Sequence, residues 1–158
     1  MNHFKVSPNG KRYSDGLTKL FTDKGVYSVH INDGKGRLQQ TKSVKPGDIL
    51  HIVSKNGEYW IGSVLSKFNS VTKETSFYSL NEVKECRLRN RDIDHNPLLV
   101  EDYYNTLWET EVVCKVDWNK STITEEKKKK LNQGFNAKTI KALPWFKNQD
   151  VDGEVFLL

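Results

Sequence analysis

The chain has 158 residues, 36% of them hydrophobic and 11% aromatic, with a formal net charge of +5. That length suits one domain over 1–158 with a core needing neither disulfide nor metal, and the aromatic content excludes wholesale disorder. No apolar stretch approaches the ~18 residues that cross a bilayer, and the opening MNHFKVSPNGKRYSD lacks a signal-peptide core, so an intracellular protein without a membrane partner is expected.

Residues 1–13 read as a loose lead-in, with Pro8, Gly10, Lys11 and Arg12. The stretch SDGLTKLFTDKG then predicts a short helix. Ser14 can cap it, Leu17, Leu20 and Phe21 share one face, and Gly25 ends it. The β-branched and aromatic run at 26–31 predicts a strand. After it comes NDGKGRLQQTKSVKPGD, a long polar loop with room for a helical turn.

Ile49 to Ser54 and Glu58 to Ser66 alternate as two strands, and Asn56-Gly57 between them predicts a type I′ hairpin turn. The run TSFYSL continues the meander. In VKECRLRNR a strand would set Arg87, Arg89 and Arg91 on one face, opposite Cys86 and Leu88. Three arginines on one face must meet water or an anion. The segment DIDHNPLLVEDYYNTLWE is irregular. TEVVCKVDW returns to strand chemistry, with Val112, Cys114, Val116 and Trp118 on one side. Thr124 caps a helix over EEKKKKLNQ, acidic first and basic later as the helix dipole prefers. Gly134 ends it. Asn136 caps a second short helix carrying Ile140 and Leu143, which Pro144 closes. The tail DGEVFLL predicts a final strand.

The resulting order is α+β: a small, mostly antiparallel β-barrel flanked by short helices. Cys86 and Cys114 lack metal-site spacing and read as two buried thiols of a reducing compartment, the alternatives being a disulfide or a metal ligand. No cofactor is implied, and the oligomeric state is left open. The isoelectric point of about 9.1 favours a polyanionic partner, with nucleic acid (DNA or RNA) foremost.

The hairpin VKPGDILHIVSKNGEYWIGSVLSKF follows GVYSVHI and precedes LWETEVVCKVDW and GFNAKTIKALPWF. In that order, over residues 26–146, the chain resembles the PUA-like superfamily, in particular its EVE and YTH branches. The resemblance implies a pocket on the barrel that receives a flipped-out, often modified, base between aromatic walls. It makes Trp108 the first wall candidate, the alternative being a loop tryptophan packing the barrel end. Trp60 is then a pocket floor or a core ring. Ser28, His30 and Asn32 alternate at the end of the first strand and would read a base edge, or else form a solvated face. Trp118 belongs to the core, and Trp145 packs a helix end. YTH domains carry a tryptophan in the segment after the first strand; NDGKGRLQQTKSV has none, which weighs against a three-walled aromatic cage and makes EVE domains the nearer comparison.

Phosphates could be met by Arg87, Arg89 and Arg91, or by Lys35, Arg37 and Lys42 on the long loop. Lys127 to Lys130 form a third basic run that a solvated helix end also explains. The sequence has no P-loop, GxSxG or HExxH. The polar cluster Asp92, Asp94 and His95 leaves open a nuclease of the ASCH type, by analogy within the superfamily, and a protein-interaction module is a further alternative. The reading favoured is a non-enzymatic nucleic-acid-binding module.

Overall fold

In the computed structural model the described residues are 1–7, 16–30, 40–54, 56–71, 111–132, 140–146 and 156–157. They form β1 (His3–Val6), α1 (Gly16–Lys24), β2 (Val26–His30), β3 (Ile49–Val53), β4 (Tyr59–Val64), β5 (Asn69–Ser70), β6 (Glu111–Thr122), α2 (Glu125–Asn132), β7 (Ile140–Ala142) and β8 (Phe156–Leu157). One curled sheet, a half-barrel, holds the strands in the order β2-β6-β4-β3-β1-β7, and β5 and β8 also pair with β6. All pairings are antiparallel except β1 with β3. The barrel-like, mostly antiparallel α+β reading therefore stands. Among the described residues no helix is long and apolar enough to cross a membrane.

The sheet buries side chains on both faces. Along β6, Val112, Cys114 and Val116 enter a first core together with Phe4, Val6, Leu50, Ile52 and Val64, and Trp118 packs against it. This matches the alternation read from TEVVCKVDW. Helix α1 adds Leu20 and Phe21, and Phe21 meets Tyr27 edge-on at 5.5 Å. Gly25, at φ 68°, stops the helix and turns the chain directly into β2. On the opposite face Tyr59, Ile61, Ile123, Leu131, Leu143 and Phe146 form a second core. Helix α2 contributes Leu131 to it, and Thr124 caps that helix through Oγ1, which accepts from the Lys127 amide at 3.3 Å.

Three expectations change. The lead-in over 1–13 contains a buried strand at 3–6, paired with β3 on one side and β7 on the other. HFKV looks too polar for an interior strand, yet Phe4 and Val6 face the first core while His3 and Lys5 face the second side. Residues 140–142 are a strand rather than part of a second short helix, because the edge of β1 offers them a ladder, with Lys5 opposite Lys141. Pro144 then serves a turn instead of closing a helix: the Phe146 amide donates to the Leu143 carbonyl at 3.1 Å, and proline suits the second position of such a turn. Finally, the β3–β4 connection is not type I′, which needs two left-handed residues. Of the Asn56-Gly57 pair, Gly57, at φ 85°, is left-handed and Asn56 is not. The Gly57 amide donates to the Ser54 carbonyl at 3.0 Å and the Ser54 amide to the Glu58 carbonyl at 2.9 Å, so the loop is three residues long.

The Gly47-Asp48 pair that opens the hairpin has a clear task. Gly47, at φ 93°, donates its amide to the Val64 carbonyl at 2.8 Å. The buried Asp48 carboxylate accepts from the Asn2 amide at 2.9 Å and from the Lys45 amide at 2.8 Å. It thus ties the start of β1 to the entry of β3. Asp48→Ala is expected to cost about 3 kcal/mol, since two backbone donors lose a charged acceptor. The measurement is the urea midpoint at unchanged m value; an unchanged midpoint would show the clasp to be dispensable.

The segments TSFYSL and VKECRLRNR, Ser14, Gly134 and Asn136 lie outside the described residues. The tail strand does form, pairing Leu157 with Ser121 and Phe156 with Thr122.

Candidate functional site

Of the residues proposed for a base pocket, Trp60 and Ser28 have described side chains. Trp60 stands on β4 facing the first core, half-buried, and its indole N–H donates to Glu58 Oε2 at 3.2 Å. Its polar edge is therefore occupied by its own chain, and only ring surface remains to offer a guest. Ser28 is 4% exposed, and its β2 neighbours Tyr27 and Val29 are as deeply buried. Neither face of β2 is solvated at this point, so the alternative of a solvated strand face fails for Ser28. His30 ends β2 opposite Glu111. Lys42 is exposed, at the end of a helical turn over 40–42. Trp108, Asn32, Arg87, Arg89, Arg91, Lys35 and Arg37 lie outside the described residues, as do Cys86, Asp92, Asp94 and His95.

Trp118 is held as a core-side ring. Its indole N–H donates to the Val26 carbonyl at 2.9 Å, and the ring lies across β4 at Gly62, its cross-strand partner. A Cβ at position 62 would sit 2.6 Å from Trp118 Cε3 and 2.4 Å from Val116 Cγ1. The strand glycine thus makes room for Trp118, not for its sequence neighbour Trp60. Cys114 is a buried free thiol, its pKa pushed up to about 12 by burial, which keeps it protonated and unreactive.

The second face carries a polar cluster that the sequence reading did not single out. His3 Nδ1 lies 2.8 Å from His51 Nε2, and His51 Nδ1 is hydrogen-bonded to the Tyr59 hydroxyl. Both imidazoles pack on Phe146, with ring centroids 4.9 and 4.4 Å away. His51 is 0% and Tyr59 1% exposed. Burial, and then the neighbouring His3, lower the His51 pKa to about 3, while burial raises that of Tyr59. The bonds are satisfied with His51 neutral, its imidazole donating from one nitrogen and accepting at the other. Beside it the Lys5 ammonium donates to Asn132 Oδ1 at 2.6 Å, at the end of α2. Burial, then repulsion from Lys141, lower its pKa to about 8. The signal for this cluster was present in sequence as ionisable residues inside apolar runs, HFKV and ILHIV. Out of reach of a substrate, it is a structural network.

Outward of the second core the surface is cationic and aromatic. Lys127 to Lys130 follow the acidic first turn of α2. Trp145, half-buried, packs against the second core rather than at the end of the expected second helix, since residues 140–142 are a strand. Lys130 Nζ stands 4.3 Å from the Trp145 ring centroid and Lys127 Nζ 5.7 Å from it. Next to this lies an open depression of about 440 Å³ between the β3–β4 loop and the start of α2. There Glu58 pairs with Lys120 at 3.6 Å and Glu125 with Lys128 at 3.4 Å. Its charges thus neutralise one another. Among the described residues no group of three or more His, Cys, Asp or Glu is placed to hold a metal ion.

No known protein family matches the chain, and no characterised protein is significantly similar to it.

Proposed function

We propose that this chain is a nucleic-acid-binding module in which the lysines of α2 meet part of the phosphate backbone. The observation that carries the reading is the convergence of Lys127 and Lys130 on a half-buried indole at the protein surface. Ammonium groups beside an aromatic ring can serve a polyanion whose bases are flat. The net charge of +5 adds a long-range attraction. The finer reading is a base lifted from its stack, with Trp108 as wall, Trp60 as floor, and the Arg87, Arg89 and Arg91 row on the phosphates. Ser28 leaves this set, because the β2-β6-β4 register puts it on the sheet face opposite Trp60. The finer reading is supported by the half-buried state of Trp60 and by the sequence resemblance.

A panel of short DNA and RNA oligonucleotides, with plain and modified bases, tests the proposal at two salt concentrations. Binding is expected at low salt and should weaken steeply as salt rises. The triple substitution Lys127→Glu, Lys129→Glu, Lys130→Glu should weaken binding to all sequences and flatten the salt slope by about one for each phosphate no longer neutralised. Absence of binding at low salt would refute the module; binding untouched by the triple variant would place the phosphates elsewhere on the surface.

A further inference from the structure

We infer that the Trp145 turn is a stacking site for an unpaired base, making single-stranded nucleic acid the partner class; this rests on the nucleic-acid reading above. The turn presents the ring by construction. Pro144 and Trp145 occupy its two central positions, while Leu143 and Phe146 at its ends are buried in the second core. The Leu143 amide donates to the His3 carbonyl at 2.8 Å, which anchors the turn to β1. Trp145 is therefore held on a rigid base with its body against Phe146, centroids 5.4 Å apart and planes inclined at 52°.

Besides Phe146, the described partners of the ring are two lysine side-chain tips. The ammonium of Lys130, an exposed residue, sits over it at 4.3 Å, with Lys127 farther out. A cation over a half-buried surface ring is held more weakly than a stacked base. A base can thus take the place of Lys130, and the displaced ammonium needs only to swing outward to meet the phosphate attached to that base. The other tryptophans with described side chains lack this arrangement. Trp60 and Trp118 give their indole N–H groups to their own chain and pack on the first core. In a duplex the base faces are already stacked, so the site selects unpaired strands.

The test is fluorescence anisotropy at low salt with a labelled oligothymidylate and, separately, a labelled duplex of equal length. Trp145→Ala and Trp145→Leu are compared with the wild type, the leucine variant retaining apolar cover over Phe146. Wild type should prefer the single strand. Both variants should weaken single-strand binding roughly tenfold or more and leave duplex binding unchanged, with thermal midpoints recorded alongside. Single-strand binding by Trp145→Leu equal to wild type overturns the inference, as does a parallel loss toward both probes. A wild type that binds duplex as tightly as single strand overturns it whatever the variants do, yet leaves the nucleic-acid module standing. Failure of the wild type to bind either probe removes both.

Discussion

Gly62→Ala should lower the thermal midpoint by roughly 6–12 °C, the equivalent of about 3 kcal/mol in a chain of this size. The added methyl would stand 2.4 Å from Val116 Cγ1 and 2.6 Å from Trp118 Cε3. Both atoms belong to the central strand β6, and neither is the loose end of a flexible side chain. Val116 is buried in the first core, and Trp118 is pinned by its bond to the Val26 carbonyl. Relief thus requires moving β6 or losing that bond. The compensating variant follows from the same geometry. Trp118→Leu in the Gly62→Ala background should recover part of the loss, because the smaller side chain vacates the space, and a double-mutant cycle measures that coupling. An alanine variant as stable as wild type would mean that the ring is not seated on the glycine.

Acid is expected to destabilise the fold earlier than carboxylate titration alone would. His51 is neutral in the folded protein, its pKa lowered from 6.5 to about 3 by burial and then by His3. The groups facing it are the imidazole of His3, the Tyr59 hydroxyl and, one strand over, the ammonium of Lys5 opposite it in register. None supplies a negative charge. The unfolded chain therefore takes up a proton near pH 6.5 that the folded chain refuses until about pH 3. Stability contributed by this group is complete above about 6.5 and falls as pH drops toward 3, by about 1.4 kcal/mol per pH unit for one proton. Urea midpoints between pH 7.5 and 5 read the effect before most carboxylates titrate. His51→Gln should be less stable at pH 7.5, since Tyr59 and His3 lose a partner, but its midpoint should change less across that interval. A wild-type midpoint flat over this range would argue that the imidazole is charged or hydrated in the folded state.

Elements whose signals are local could be read from the sequence. The β3–β4 hairpin, the one-sided alternation of Val112, Cys114 and Val116, the Thr124 cap and the Gly25 stop all depend on residues a few positions apart. The strands β1 and β7 could not be read this way. HFKV is too short and too polar to announce an interior strand, and Ile140–Ala142 extends only because β1 is present beside it. The hairpin turn misled for a related reason: Asn-Gly permits a two-residue turn but does not require one, and the register across Ser54 and Glu58 decided for three. At the candidate site, Trp60 and the lysines of α2 were visible as residue types. Their arrangement was not, because Lys127 and Lys130 meet Trp145 only after the turn at Pro144 folds back onto the helix. Gly62 was conspicuous beside Trp60, yet its reason lay on another strand.

The pairing of β1 has a consequence for how the chain comes together during synthesis. Strand β1 is flanked by β3 and β7, both later in the chain, and Lys5 reaches Asn132 across 127 positions of sequence. A nascent chain therefore carries HFKV as an unfinished edge until residues 140–142 have left the ribosome. Ring closure of that length is slow, and for its duration the histidine pair waits without its roof of Phe146.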